Sequence, residues 1–547
     1  MRFRLFDSRA FALAAMMLVA PTLASIAKAQ EVAVVSIANL ERTLGDVSYL
    51  LRASSVPEVG GLVSIMSMQY TQGIDQKRPI GATVKMENGM PNAVVFMPMT
   101  DTEQFFGALA GMGAEPDDLG DGLYEIDAGG QIIYAKDANG WMFIGQTEES
   151  VADTPANPAA LLGKLPETYD LAVKLNLSNL PQEMKDMALE QIKFGFEQSM
   201  AMQPGLTEEQ IEANQKAGEA SIKQMEMAFN DTEQIIIGWA ISEDEQRTFI
   251  DGGFRFVEGS QFASQANAAA NVTSDYTKFV LPGASAMFRA SSIIDEADRE
   301  MAVASFKNSL NQATAQMDQA DMPPEARELV DELLDGITNL MVQTIEDGEF
   351  DGAGSVSVAE GALQVLVGGK IGDGEALAKL VKETVAKLPP GAPLDFNFDY
   401  ETYKGITLHS VSGPPIPDPK AVAALGETPK IIIGTGPKSF FINLDPTGDA
   451  TVKKVIDAMS DSQDVKVTPF EGSVALGAFL KFAHSIEPDP ILGDLIQTIG
   501  EYSDNDKISI SSRLIKNGFL YRFSIDEGIL QTVGSAAKSG AAMGGGF

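Results

Sequence analysis

Apolar and polar positions along the chain fall into two recurring patterns. Short alternating segments rich in Val, Ile, Phe and Tyr, bounded by Gly, Asn or Asp, read as strands; longer stretches with apolar residues every three or four positions read as helices. Ala302, Phe306, Leu310, Ala313 and Met317 share one helical face, and Leu329, Leu333, Ile337, Leu340 and Ile345 share another. Pro323-Pro324 separates the two, because proline is tolerated in a first helical turn and not in a helix interior.

Assembled in order, these signals make one unit that recurs four times: strand, one or two helices, strand, tight turn, strand, helix. The first copy has an opening strand over 32–40, helix over 42–72, strands over 80–87 and 93–98 joined at Asn88-Gly89, and a helix from Asp101 to Met112. The second opens with a strand over 170–177, has helices near 182–201 and 207–229, and ends in strands over 234–242 and 247–257. The third has a strand over 284–292, helices over 295–318 and 323–346, strands over 354–358 and 362–368, and a helix over 373–388. The fourth has a strand over 473–482, one helix near 490–500, strands over 507–514 and 519–525 around Lys516-Asn517-Gly518, and a helix from Glu527. Asn-Gly between alternating segments is a strong hairpin signal.

A second unit, three strands and a helix, occurs twice, with strands over 122–127, 131–136 and 141–146, and again over 403–409, 430–435 and 439–444. Helix pairs bury their apolar stripes most readily on a mostly antiparallel sheet. The expectation is therefore an α+β fold of two tandem duplicated halves, each of antiparallel sheets with helix pairs on one face. The halves span residues 30–270 and 280–538, preceded by a signal peptide over 1–29 and followed by a Gly-rich flexible tail over 539–547.

The signal reading rests on Arg2, Arg4 and Arg9 in a basic start, an apolar run over 11–19, and Ala27-Lys28-Ala29 as a small-residue cleavage site, which would leave Gln30 first. That run is nine residues, short of the roughly 20 that span a bilayer. No cysteine stands at the cleavage site to take a lipid. The chain is thus expected in the periplasm or outside the cell, with no transmembrane segment in its mature form.

Composition sharpens this picture. With 44% hydrophobic and 21% charged residues the chain has an ordinary globular composition. It has no cysteine, so core burial alone must hold an exported fold. The net charge is −36; removing residues 1–29 takes away four basic residues and one acid, leaving 36 Lys+Arg against 75 Asp+Glu, or −39. Such a field repels phosphate backbones, which argues against nucleic acid and leaves a cationic protein or weakly held Ca²⁺ as the expected partners.

Familiar chemistry is sparse. Gly434-Thr435-Gly436-Pro437-Lys438-Ser439 is a clipped phosphate loop, without the four-residue spacer and with Pro437 in place of a donor; it reads as a hairpin, as does 137–140 in the first half. His409 and His484, the two histidines, read as solvated or edge residues at strand ends. Residues 115–122 and 503–506 are fragments of calcium loops. Glu325, Glu328, Asp331, Glu332 and Asp335 lie opposite an apolar stripe, as a solvated face would. The Met66/Met68, Met97/Met99, Met200/Met202 and Met225/Met227 pairs suit core filling better than Cu(I). No G-x-S-x-G elbow is present. No catalytic, cofactor or metal residue is therefore assigned, and no cofactor is expected.

Taken whole, with export signal, acidic cysteine-free body and strand–helix–hairpin repeats, the chain resembles exported bacterial proteins built of tandem α+β repeats. The resemblance is one of architecture and carries no site residue. The expected function is a non-enzymatic binding or envelope-associated module, with a carboxylate-dependent hydrolase and a carrier of an apolar ligand as alternatives. A polar cleft would mark the enzyme and a dry pocket the carrier.

Overall fold

The computed structural model describes residues 30–201, 222–310 and 324–542, except 88, 112, 128, 224, 297–298, 301, 305, 308–309, 360–361, 389–393, 446–449, 460–464 and 503–504. The predicted signal peptide, most of the helix predicted over 207–229, the end of that over 295–318, and residues 543–547 of the tail lie outside the described residues. The fold is mixed helix and antiparallel strand, of the α+β class. Among the described residues no helix is long and apolar enough to cross a membrane. The chain separates into two compact units, one of residues up to Gly195 with Thr232–Phe254, the other of Phe196–Asp231 with Arg255 onward.

In the first unit β1 (Gln30–Asn39) leads into α1 (Leu40–Ala53) and α2 (Pro57–Tyr70). Asn39 caps α1 by accepting from the Arg42 N–H, and Pro57 sits in the first turn of α2, where its missing N–H costs nothing. Then follow β2 (Pro79–Glu87), β3 (Met90–Pro98), α3 (Thr102–Ala110), capped by Asp101, β4 (Pro116–Gly120), β5 (Leu123–Asp127), β6 (Ile132–Ala138), β7 (Trp141–Gly145) and β8 (Leu171–Asn176). α4 (Gln182–Ala201) leads out of the unit, and β9 (Thr232–Ser242) and β10 (Arg247–Phe256) return to it. The strand order is β4-β5-β6-β7-β3-β2-β1-β8-β9-β10. One core packs Val34, Phe96, Trp141, Phe143, Leu162, Tyr169, Ala172, Ala240 and Phe249.

The second unit holds α5 (Gln261–Ala268), β11 (Thr273–Ser274), β12 (Ala286–Ile293), α6 (Pro324–Glu346), β13 (Glu349–Ala359), β14 (Ala362–Lys370) and α7 (Gly374–Ala386). It continues with β15 (Asp395–Tyr403), β16 (Ile406–Ser412), α8 (Pro419–Leu425), β17 (Lys430–Gly436), β18 (Ser439–Leu444), α9 (Ala450–Met459) and β19 (Val465–Lys466). β20 (Phe470–Ala475), α10 (Leu476–Ile486), α11 (Pro490–Gly500), β21 (Lys507–Ile515), β22 (Gly518–Asp526) and α12 (Glu527–Ala542) complete it. The main sheet runs β15-β16-β17-β18-β14-β13-β12-β20-β21-β22, antiparallel throughout. Its core stacks Phe279 on Phe441, centroids 5.2 Å apart, with Leu366, Leu408, Ile432, Val452 and Ile456 around them. Phe256 packs on Phe262 and Phe519, so the chain after β10 is held by this unit.

Several expectations are altered. The strand predicted over 473–482 is β20 followed by α10: Leu476, Phe479, Leu480 and Ala483 fall at helical spacing, and the run is too short for its period to decide between strand and helix. β4 and β15 are additional strands, each turning into its neighbour through a left-handed pair, Asp121-Gly122 (φ +52 and +74) and Lys404-Gly405 (φ +48 and +83). Residues 539–542, placed in the tail by composition, are the end of α12.

Candidate functional site

The sheet of the second unit has two unlike faces, and register shows which residues share each. Directly opposed pairs project to the same side. Phe288 lies opposite Gly354 and Gly472, Gly354 opposite Val367, Val474 opposite Ile508, and Ile510 opposite Gly472 and Phe523. The other side carries Met287, Arg289, Ser291, Ala353, Ser355, Glu471, Ser473 and Ser509 on the same strands, and Leu366, Leu408 and Phe441 farther across. Burial runs against the simplest amphipathic rule. Ser285, Ser291 and Ser355 are buried, whereas Phe288 is 41% exposed, Val474 45%, Ile510 40% and Phe523 43%. The hydroxyls are satisfied in place: Ser291 donates to Asp351 Oδ1 at 2.6 Å, and Ser355 donates to the Phe279 carbonyl at 2.6 Å.

A shallow cleft of about 310 Å³ lies on the open apolar face. Its rim is Phe288, Val367, Val474, Ile508, Ile510 and Phe523, with Gly354 and Gly472 among the lining residues between them, and the exposed wall is almost wholly apolar. The glycine matters: a Cβ on Gly354 would come within 2.7 Å of the Phe288 ring, so the ring lies flat across a position that must lack a side chain. No charged residue lines the cleft. The first unit has its own exposed apolar set, Leu171, Ile237, Ile250 and Phe254, on β8, β9 and β10. By strand alternation these project opposite to the buried Ala172, Ala240 and Phe249 of its core.

The residues singled out by sequence lie elsewhere. Gly434–Ser439 is the β17–β18 hairpin, with the turn at Pro437-Lys438, and Asn139-Gly140 makes the left-handed turn from β6 to β7. His409 corrects its expectation: it sits within β16, 3% exposed, because Phe398 packs edge-on against its ring. Its Nδ1 accepts from the Asp399 N–H at 3.1 Å, and burial pushes its pKa down. His484 is no strand residue but lies in the last turn of α10, where Nδ1 accepts from the Asp489 N–H at 3.2 Å. Residues 116–120 form β4, and Asp118 accepts from the Gly120 N–H; Asp506 is buried and accepts from the Gly477 N–H at 3.1 Å. Among the described residues no three acid or histidine side chains converge as a metal site would require. Met99 belongs to a core, but Met68 is 64% exposed on α2, so core filling does not account for it. Glu328, Asp331, Glu332 and Asp335 are exposed on α6.

In the first unit two carboxylates share one guanidinium. Arg42 Nε on α1 lies 3.0 Å from Asp170 Oδ1 and 3.3 Å from Asp46 Oδ2. Asp170 is 1% exposed and its Oδ2 accepts from the Ile241 N–H at 2.7 Å. Burial, then the hydrogen bond and charge of Asp170, push the Asp46 carboxyl up to about 6. The arginine also donates to the carbonyls of Pro166 and Glu167, so the group ties α1 to the chain before β8. In the second unit, burial raises the Asp351 pKa, while Ser291, Ser274 and the Asp275 N–H, all donating to its carboxylate, hold it back.

The cleft residues escaped the sequence reading, although the alternation of Lys507-Ile508-Ser509-Ile510-Ser511 is plain. Alternation identifies two sides without naming the one that faces out. Compared with protein-family models, curated proteins and solved structures, the chain matches none.

Proposed function

We propose that this chain is an exported, non-enzymatic carrier of an apolar ligand, of the class of a lipid acyl chain or neutral hydrocarbon, which lies on the open sheet face of the second unit. One observation carries the reading: Ser291 of β12 and Ser355 of β13 are buried on one side of the sheet, whereas Phe288, Val474, Ile510 and Phe523 on the other side are exposed. Folding alone does not reward that arrangement, since each large apolar side chain left in water forgoes about 1.5–3 kcal/mol of burial. A cleft of about 310 Å³ without charged lining is at the small end of ligand sites and suits a narrow apolar body. Export rests on the basic start, apolar run and Ala27-Lys28-Ala29 of the sequence.

The same reading takes the two units as products of a tandem duplication. In support, β4, β5, β6, β7, β3, β2, β1, β8, β9 and β10 match β15, β16, β17, β18, β14, β13, β12, β20, β21 and β22 one for one in neighbour order. An aspartate also caps the helix after the third and the matching fourteenth strand, Asp101 on α3 and Asp373 on α7.

The test is titration of the chain from Gln30 onward with diphenylhexatriene, a neutral probe that fluoresces on entering an apolar site. The parent should bind, and the double variant Val474→Asp, Ile510→Asp should bind at least tenfold more weakly with an unchanged circular dichroism spectrum. A parent that does not bind, or a folded double variant that binds equally, refutes the carrier reading.

A further inference from the structure

A second cleft, of about 640 Å³, opens on the other side of the same sheet, between α10 and the ends of β12, β13, β20 and β21. Ala478, Lys481, Phe482 and Ser485 reach it from α10, and their spacing of three, four and seven places them on one helical face. Ser357, Val358 and Lys507 reach it from the strands, and Ile499 of α11, 1% exposed, also lines it.

Small residues leave it open. Gly283, Ala284, Ala475 and Gly477 line it along with Ala478. At Gly477 a Cβ would lie 2.6 Å from Asp506 Oδ2, so the hydrogen bond between that carboxylate and the Gly477 N–H requires glycine. This lining differs from the apolar cleft in kind, for hydrocarbon walls here stand beside hydroxyls and two ammonium groups.

The charge balance fixes what the cleft prefers. Lys481 and Lys507 contribute two positive charges and Asp506 one negative, and Asp506 is 7% exposed and already engaged by the Gly477 N–H. Among the described residues neither ammonium makes an ion pair, in a chain whose net charge is −36. Two cations beside an apolar wall match an anion that carries a hydrocarbon body.

We propose that this cleft is a separate binding site for a small amphiphilic anion, a carboxylate or phosphate monoester with a short apolar body. The head group meets Lys481 and Lys507, and the body packs on Phe482 and Val358. Because the site lies on the opposite side of the sheet, its occupancy is independent of the apolar cleft.

Calorimetric titration of the chain from Gln30 onward with octanoate, octyl phosphate, inorganic phosphate and octanol tests it. Octanoate or octyl phosphate should bind at least tenfold more tightly than either octanol or inorganic phosphate, and whichever of the two is the tighter identifies the head group. Lys481→Gln with Lys507→Gln should weaken that binding at least tenfold and leave diphenylhexatriene binding unchanged. Ala478→Trp, which fills the cleft and alters no charge, should weaken it equally. Failure of both anions to bind, binding indifferent to the lysine and tryptophan variants, or binding abolished by Ile510→Asp instead overturns the proposal, and none of these outcomes touches the carrier reading.

Discussion

Replacing Asp46 by asparagine should stabilise the first unit at neutral pH and do nothing in acid. Asp46 sits between Arg42 and the buried Asp170, and its carboxyl is pushed from 3.8 up to about 6 by burial first and by Asp170 second, against the pull of Arg42. Below about pH 4 the group is protonated in the folded and unfolded chains alike, and the stability gained from holding that proton is fully present. As pH rises through 6 the folded state must ionise it, and that stability is lost. A displacement of about 2 pH units at 1.36 kcal/mol each bounds the loss at about 3 kcal/mol by pH 7.5, and solvent screening at this half-buried site reduces it to about 1–2 kcal/mol. Asparagine is permanently neutral and can donate to Asp170 where the carboxyl proton did, so Asp46→Asn should be more stable by about 1–2 kcal/mol at pH 7.5 and equal to the parent near pH 4. Urea unfolding followed by tryptophan fluorescence reads this unit alone, because both tryptophans of the chain, Trp141 and Trp239, belong to it. At about 2 kcal/mol per molar urea, the midpoint should move by about 0.5–1 M. A variant no more stable than the parent at pH 7.5, or a gap of the same size at pH 4, refutes the reasoning.

Phe441→Ala should cost about 3–5 kcal/mol, since it removes a ring stacked on Phe279 in the second core; far-UV circular dichroism in urea measures it. Asp351→Ala should cost about 1–3 kcal/mol for each donor it strands, the Ser291 hydroxyl and the Asp275 N–H, and Asp351→Asn should cost less in the same assay. N-terminal sequencing of the protein recovered outside the cytoplasm should begin at Gln30; recovery of a chain beginning at Met1 would defeat the export reading.

Legibility varied with how local the deciding physics was. The β21–β22 hairpin was readable because Asn517, with φ +55, and Gly518 break two clear alternations. α3 and α7 were readable from Asp101 and Asp373, whose side chains accept from the N–H three residues on. β15 is legible in the strict alternation Asp395-Phe396-Asn397-Phe398, while β4, Pro-Asp-Asp-Leu-Gly, has no apolar period and exists through pairing with β5. The burial of His409 is not legible in the sequence because it depends on Phe398, brought against it from the neighbouring strand.

The candidate site marks the same divide. Residue type and period, which are properties of the chain, determined that β12, β13 and β21 would be strands, and that on β13 and β21 Val or Ile would alternate with Ser. Which side would be covered depended on elements far away in sequence. Ser355 is buried because the Phe279 carbonyl waits to accept its proton, and Ser291 because Asp351 does. With those partners in place the hydroxyl side could be buried without loss, and the apolar side, with nothing in its own sequence to mark it, was left facing outward.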